Sequence, residues 1–318
     1  IIVGNRTRGI RAGVVFPEAG IAWLKEEINT LSVREQDPFQ VRKEDIDFFF
    51  SEIEPFWRGK TLEDNIYRNY ESEIRDIEPV VKINQKDHAQ GHISPDVEVW
   101  LNLGPAGLIK NARERLKSAK KEEKEFLACV CTTLEAAVRF IERYRDLARK
   151  MAHEKVNDEY RKNLLSISEI CDDIANRPPS TFREAVQSVW FLFVILQMES
   201  NASSFSPGRL DQILFPYYLE DQKAGRENDG SFLEIIDALY IKFNQIVYMR
   251  NGNSARYFAG FPMGFNITLG GKRLSGGDSV NDLTFLFLKA QDHIRMPQPN
   301  LTARIHPASP YEYLKECS

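Results

Sequence analysis

The pattern of apolar and polar positions changes in character along the chain. Residues 1–105 alternate short apolar runs with Pro and Gly, and predict only short helices, at Ile21–Glu27 and Lys43–Ile53. From residue 106 to 176, apolar residues recur with a period of about 3.6 between Lys, Arg and Glu. This second stretch predicts long amphipathic helices.

A further helix is predicted to begin at Thr181, directly after a pair of prolines. Thr181 and Glu184 match a capping box, in which the two side chains accept hydrogen bonds from each other's backbone N–H. The residues Val189–Leu196 are apolar on nearly every face, which predicts a helix buried in a large protein. This helix runs into the polar segment Glu199–Ser204, and polar chemistry at a core location is typical of a functional site.

The last third of the chain predicts a βαβ unit after one more amphipathic helix at Ser231–Met249. The strands are predicted at Phe265–Leu269 and Asn300–Ile305, and the helix between them at Val280–Ile294. Two strands joined in this way should be parallel, with a right-handed crossover. The sequence therefore predicts an α/β C-terminal third and a nearly all-helical middle third.

Composition and charge exclude several function classes. The chain has 318 residues, 42% of them hydrophobic and 28% charged, as in ordinary soluble globular proteins. A net charge of -4 and a pI near 5.9 disfavour nucleic-acid and anionic-membrane partners. No apolar run is long enough to span a bilayer, no signal peptide is visible, and the four cysteines give no disulfide framework, so a cytoplasmic location is expected. The chain lacks an initiating Met and ends in an unfinished helix pattern, which predicts a piece of a longer protein.

The first candidate for chemistry is the polar cluster Asn84–His92. His88 and His92 are spaced as two metal ligands on a helix would be. However, Gly91 and Pro95 disfavour a regular helix here, and no third ligand is indicated, so a metal site is not predicted. The residues alone favour a surface loop and leave a substrate pocket as the alternative.

The second candidate is the segment Ser203–Gln212, which has the composition of a loop. Arg209 and Asp211 within it are expected to make structural ion pairs. The sequence has no Gly-x-Ser-x-Gly elbow, so a serine hydrolase is not supported.

The third candidate is the glycine-rich segment Gly270–Ser279, which leads into a predicted helix. Glycines before a helix N-terminus can hold phosphate, but this spacing fits neither of the common nucleotide-binding loops. A flexible connection, with Asp278 or Ser279 capping the helix, is the favoured interpretation.

The cysteines do not suggest a ligand set. Cys129 and Cys131 lie about 200° apart around the predicted helix and cannot share a ligand. Together with Cys171 they are expected to be small buried hydrophobic residues. Cys317 has too little sequence after it to be interpreted.

Several segments taken together resemble the glycyl radical enzymes, and they match in order and spacing along the whole chain. These segments are Gln90-Gly91-His92, Glu199-Ser200-Asn201, Ser206–Gln212, Pro216-Tyr217-Tyr218, Ala255–Pro262 and Met296–Leu301. The similarity is greatest to the glycerol dehydratase and "pyruvate formate-lyase 2" branch. It implies that residues 1–318 are the N-terminal part of a pyruvate formate-lyase-like domain, an α/β fold forming the first part of a ten-stranded barrel with a helical outer layer.

The resemblance also implies a chemistry for the complete protein. In this family a radical S-adenosylmethionine activase installs a radical on a backbone glycine, and a cysteine thiyl then abstracts hydrogen from the substrate. The expected activity is that of a lyase or dehydratase that eliminates water or another group from a small hydroxylated substrate. A homodimer with no bound cofactor is expected. The catalytic cysteine and the radical glycine are both expected beyond Ser318, so no catalytic residue is nominated in this chain.

For the substrate pocket, the resemblance implies the residues Lys86, Gln90, His92, Ser203 and Ser204. His92 matches a Gly-His pair that contacts the diol in the glycerol dehydratase branch, and Ser204 matches the serine of a later His-Ser pair. Ser203 stands where that branch has the histidine, a departure that weakens glycerol and propane-1,2-diol as expected substrates. Lys86 and Gln90 would orient a polar or anionic head group. The alternatives are a formate acetyltransferase-type C–C lyase, a sulfonate C–S lyase and a non-catalytic helical scaffold.

Overall fold

The computed structural model describes residues 1–78, 80–81, 92–154, 156–200, 204–260 and 263–318. The helices described in its N-terminal region, residues 1–78, are all short, as the sequence predicts. They are α1 (Ala22–Glu27), α2 (Lys43–Phe48), α3 (Glu54–Trp57), α4 (Leu62–Asn69) and α5 (Ser72–Ile77), with a π-helical turn at Phe49–Ile53 joining α2 to α3. Leu24, Leu31, Phe49 and Met249 are buried together here and form a small core of their own.

The middle of the chain forms three long helices: α6 (Val97–Ser118), α7 (Lys121–Ala152) and α8 (Asp158–Asn176). The prediction of irregular structure up to residue 105 is wrong at its end, because α6 begins at Val97. Asp96 caps this helix by accepting a hydrogen bond from the Val99 backbone N–H at 2.9 Å. Gly104, at φ 63°, kinks the helix just before Pro105.

Helix α9 (Phe182–Glu199) is the buried helix that the sequence predicts, and Val189, Trp190 and Phe193 have no exposed surface. Its predicted capping box is half confirmed. The Glu184 backbone N–H donates to Thr181 Oγ1 at 3.2 Å. The Glu184 carboxylate instead accepts from the Ser180 backbone N–H at 2.8 Å and pairs with Arg177 at 3.0 Å, so it does not reach back to Thr181.

The remaining elements run in the order β2 (Ser204–Phe205), α10 (Leu210–Ile213), α11 (Phe215–Lys223), α12 (Asp229–Phe243), α13 (Gly252–Tyr257), β3 (Asn266–Gly270), α14 (Asp282–Ile294), β4 (Asn300–Arg304) and α15 (Tyr311–Glu316), and β1 (His92–Ile93) precedes α6. Helix α12 stops well before the predicted end at Met249. The Nδ2 atom of Asn244 donates to the carbonyls of Tyr240 and Gln298, at 2.8 and 2.7 Å, and ties the end of the helix to a distant segment.

The strands form a parallel arrangement in chain order. β3 pairs with β4 from Asn266↔Asn300 onward, with α14 between them, which confirms the predicted βαβ unit. β1 pairs with β2, and a bridge between Gly208 and Ile267 connects the β2 segment to β3. The strands thus form two parallel pairs, and the bridge at Gly208, just after β2, joins the two pairs in the order of the chain, as expected at the start of an α/β barrel.

One face of these strands packs against the helices. The rings of Phe205 and Phe265 lie 6.0 and 5.9 Å from the ring of Phe193 on α9. Phe243 of α12 joins the same cluster, at 5.0 Å from Phe265. Because edge-to-face and tilted aromatic contacts are specific as well as apolar, they fix the strands against the helical layer. Among the described residues, no helix is long and apolar enough to cross a membrane.

Candidate functional site

The structure brings two of the nominated residues together. His92 and Ser204 are register partners on the parallel strands β1 and β2. The Nδ1 atom of His92 lies 2.5 Å from Ser204 Oγ, a hydrogen-bond contact. The Ser204 side chain is buried, whereas His92 is exposed. The contact leaves Nε2 as the ring nitrogen that the serine does not use.

Hydrogen bonds on either side of the pair hold β1 in place. The Ser206 backbone N–H donates to the Ile93 carbonyl at 2.8 Å, and Ser94 Oγ donates to the Ser206 carbonyl at 3.0 Å. Directly after Ser94, the cap at Asp96 starts the long helix α6. The position of His92 is therefore set by both a strand pair and a helix start.

The orientation of Ser204 is set by Phe205, the other residue of β2, and the space beside it is set by Gly264. Successive residues of a strand point to opposite faces, and Phe205 points into the helical core. Ser204 therefore points to the other face, where Gly264 lies beside it. Gly264 has φ 74°, and a Cβ at this position would be only 3.3 Å from Ser204 Cβ. The glycine thus keeps space open next to the Ser204 side chain.

The side of the strands that faces away from the helical core, where Ser204 points, carries polar residues on β3 and β4 as well. Ile267 and Leu269 are fully buried, whereas Asn266 and Thr268 alternate with them and are only half-buried. On β4 the more exposed residues are Asn300, Thr302 and Arg304. Thr302 Oγ1 donates to Asn266 Oδ1 at 2.9 Å, which links the two strands on this face. We infer that His92 and Ser204 lie on the same side of the strands as these polar side chains of β3 and β4.

Arg209 and Asp211 fasten the segment after β2 to β3 and α14, but not by the ion pairs that the sequence predicts. Arg209 donates to the carbonyls of Gly270 and Lys272, at 2.6 and 3.1 Å, and also bonds Ser279 Oγ. Asp211 Oδ2 accepts from the Gly270 backbone N–H at 2.8 Å. Burial raises the pKa of the Asp211 carboxyl, although the hydrogen bond that it accepts from Gly270 opposes this rise.

The glycine-rich segment Gly270–Ser279 connects β3 to α14, as the sequence predicts, but the predicted cap is wrong. Asn281 is the N-cap, and its Oδ1 accepts from the Thr284 backbone N–H at 3.0 Å. Asp278 instead accepts from the Val280 backbone N–H and contacts His306 at 2.7 Å. The segment presents carbonyls to Arg209, which is the opposite of the N–H groups that a phosphate-binding loop presents.

The cysteines only partly follow the prediction. Cys131 and Cys171 are buried, but Cys129 is exposed on α7, so its predicted burial is wrong. Burial raises the pKa of Cys171 to about 12, which makes this thiol a poor source of thiolate.

The other nominated residues, Lys86, Gln90 and Ser203, lie outside the residues that the structure describes. His88, which a metal site shared with His92 would need, also lies outside the described residues. Asn266 was not nominated from the sequence, although the alternation of polar and apolar residues in Phe265–Leu269 marks it as belonging to the open face of a strand.

Comparisons with known proteins agree with the fold and with the resemblance. The family model described as "Pyruvate formate lyase-like" matches residues 1–318. The chain is 32% identical to the probable dehydratase YbiW of Escherichia coli, covering 100% of this chain and 41% of that protein. It is 31% identical to the (2S)-3-sulfopropanediol dehydratase of Klebsiella oxytoca, covering 98% of this chain and 40% of that protein.

A solved structure of a related enzyme has the same fold over this part of its chain. The glycerol-bound form of the B12-independent glycerol dehydratase from Clostridium butyricum superposes with a TM-score of 0.95 at 31% identity, covering 99% of this chain and 41% of that one. The chain therefore spans about two fifths of the length of the relatives that it matches. With a family model matched from end to end and relatives above 30% identity, the chain belongs to the pyruvate formate-lyase-like family.

Proposed function

We propose that the complete protein is a glycyl radical lyase that eliminates a leaving group, water in the first instance, from a small hydroxylated substrate. The observation that carries the proposal is the 2.5 Å contact between His92 and Ser204. The resemblance to the glycerol dehydratase branch assigns substrate contacts to these two positions, and they meet on neighbouring strands at a polar face. The names of the relatives, a sulfopropanediol dehydratase and a glycerol dehydratase, support the same reaction class.

The role of this chain is to bind and orient the substrate. Ser204 Oγ and the Nε2 atom of His92 are two polar groups that can hydrogen-bond neighbouring hydroxyl groups of a diol. A neutral imidazole donates from one nitrogen and accepts at the other, so it can hold a hydroxyl in either role. The radical of the complete enzyme supplies hydrogen abstraction, and we place its cysteine and glycine outside this chain.

The activation and the setting follow from the family resemblance. We propose that a radical S-adenosylmethionine activase installs the glycyl radical, and that the enzyme works as a cytoplasmic homodimer in an anaerobic cell. Lys86 and Gln90 complete the polar side of the pocket in this proposal, and Ser203 replaces an imidazole by a hydroxyl.

Anaerobic activation of the full-length protein tests the proposal. The expected result is a glycyl radical signal by electron paramagnetic resonance, together with an aldehyde or ketone product from glycerol, propane-1,2-diol or 3-sulfopropane-1,2-diol. Release of sulfite would instead indicate a C–S lyase, and acetyl-CoA formed from pyruvate and coenzyme A would indicate a formate acetyltransferase-type enzyme. Absence of the radical signal with an activase that is competent on a related enzyme would overturn the proposal in favour of a scaffold.

A further inference from the structure

Asn266, at the start of β3, has an amide whose orientation is fixed by a neighbouring strand. Its Oδ1 atom accepts a hydrogen bond from Thr302 Oγ1 at 2.9 Å. Because the two ends of an amide have opposite hydrogen-bonding roles, this contact turns the Nδ2 atom, with its two N–H donors, away from Thr302. Within the described residues, no hydrogen bond from Nδ2 to a protein acceptor is present.

Asn266 also lies next to the His92–Ser204 pair on the same strand face. Gly264 is beside Ser204, with its Cβ position 3.3 Å from Ser204 Cβ. Asn266 comes two residues after Gly264 as the first residue of β3, and it points away from the helical core that its neighbour Phe265 enters. Gly264 has no side chain, so no side chain at that position separates Ser204 from Asn266. A molecule held by His92 and Ser204 can therefore extend over Gly264 to the Asn266 amide.

We propose that Asn266 is a further substrate-binding residue, which donates a hydrogen bond from Nδ2 to an oxygen of the substrate while Thr302 holds the amide in this orientation. The proposal rests on the proposed function, and it adds a third polar contact at a defined place. An oriented N–H donor selects an acceptor oxygen, either a hydroxyl or the oxygen of a carboxylate or sulfonate group. Thr302 is in this view a positioning residue, because its contact is to Asn266.

The test compares Asn266→Ala and Asn266→Asp in the full-length activated protein. Loss of one hydrogen bond to substrate should raise KM for the diol that is turned over by roughly 3- to 10-fold, with a smaller change in kcat. Asn266→Asp keeps the shape but replaces the donor by a charged acceptor, so KM should rise further, most of all for 3-sulfopropane-1,2-diol. Thr302→Val should raise KM less than Asn266→Ala does, since it frees the amide without removing it.

Thr268→Val is the matched control, because Thr268 lies on the same strand face but one step further from Ser204. Its KM should stay within twofold of the wild type. The radical signal should be unchanged in all variants, which separates substrate binding from loss of the fold. Equal KM values for the wild type, Asn266→Ala and Asn266→Asp would overturn the inference and leave the proposed function intact.

Binding of glycerol and of 3-sulfopropane-1,2-diol to the unactivated protein, measured by calorimetry, gives a readout that does not need the radical. Weaker binding by Asn266→Ala than by Thr268→Val would support the inference even if activation failed. If the wild type bound neither probe, the substrate-binding role of Asn266 would be overturned together with the proposed substrate class.

Discussion

The carboxylate of Asp211 accepts a hydrogen bond from the backbone N–H of Gly270 at 2.8 Å, across 59 residues of sequence. The same oxygen accepts from Thr284 Oγ1 at 2.7 Å, so one buried side chain ties α10 to both β3 and α14. The second carboxylate oxygen, Oδ1, is buried and has no hydrogen-bond partner among the described residues. Asp211 thus fixes the end of β3, the strand that carries Asn266, through a single oxygen.

This asymmetry predicts different effects for two substitutions of Asp211. Asp211→Ala leaves the buried Gly270 N–H without its acceptor and leaves the Thr284 hydroxyl with only the longer 3.3 Å contact to Asn281 Oδ1, which should lower local stability by roughly 1–3 kcal/mol. Asp211→Asn can present its carbonyl oxygen to both donors and place its NH2 where the unpaired oxygen was, so it should cost less than about 1 kcal/mol. Native-state hydrogen exchange of the Gly270 amide measures the difference directly. Equal protection in the two variants would contradict the assignment of the hydrogen bonds.

The same carboxyl predicts a pH dependence. Burial raises the pKa of Asp211 above its ordinary value of 3.8 in the folded protein, so the charged form is less stable there than in the unfolded chain. That cost is present at neutral pH and is relieved as the pH falls through the raised pKa, since the folded state then binds the proton first. Protection of the Gly270 amide in the wild type, relative to Asp211→Asn, should therefore increase as the pH is lowered towards 3.8. A relative decrease would mean that the hydrogen bonds outweigh the burial.

The sequence predicts those parts of the fold that depend on local patterns. The alternation in β3, the helical period of α14 and the continuous apolar run of α9 each identify their element. The strands β1 and β2 have two residues each, which is too few to show any alternation, and they pair across 112 residues. The end of α12 at Asn244 depends on the distant carbonyl of Gln298. Such features depend on tertiary contacts that no local pattern encodes.

In the candidate site, too, some features could be predicted from the sequence and others depend on tertiary contacts. Residue types alone left the cluster around His92 open between a loop and a pocket, and the family resemblance nominated His92 and Ser204 as separate substrate contacts. Only the structure shows that the two residues pair with each other. The Asn266 amide became a candidate only when its contact with Thr302 and its place beside Gly264 were known. The ion pairs expected of Arg209 and Asp211 were wrong because the side chains bond groups of β3, of α14 and of the segment between them, 59 or more residues away.

Substitutions of His92 and Ser204 test whether the two residues act as one unit. His92→Ala and Ser204→Ala should each raise KM of the full-length enzyme by roughly 3- to 10-fold or more, because each removes a hydrogen bond to the substrate. If the 2.5 Å contact orients both groups, the double variant should be little worse than the poorer single variant. The radical signal should survive in all three. Strictly additive effects would show that the contact has no functional role, and wild-type KM values would remove both residues from the pocket.

The cap of α9 predicts a change in stability without a change in chemistry. Thr181→Ala removes the acceptor for the Glu184 backbone N–H and should cost about 0.5–2 kcal/mol of local stability. Hydrogen exchange at the Glu184 amide reports this loss, while KM should remain that of the wild type. Thr132→Ala is a suitable control, since the exposed Thr132 hydroxyl bonds only the Ala128 carbonyl within α7. A cost no greater than that of the control would mean that the start of the helix is held by the other contacts there, from the Ser180 N–H to Glu184 and from the Phe182 N–H to Asp221.

Gly264 predicts an effect on both stability and substrate binding. Its φ of 74° disfavours any residue with a Cβ, and that Cβ would press on Ser204 at 3.3 Å. Gly225 has a similar φ of 64° but nothing within 4 Å of its Cβ position, so Gly225→Ala carries the backbone cost alone, about 1–2 kcal/mol. Gly264→Ala should destabilise the protein by more than this control and should also raise KM, because it displaces Ser204 and fills the space between Ser204 and Asn266. Thermal denaturation and steady-state kinetics of the two full-length variants measure these effects. If Gly264→Ala matched Gly225→Ala in both, the open space beside Ser204 would have no part in holding the substrate.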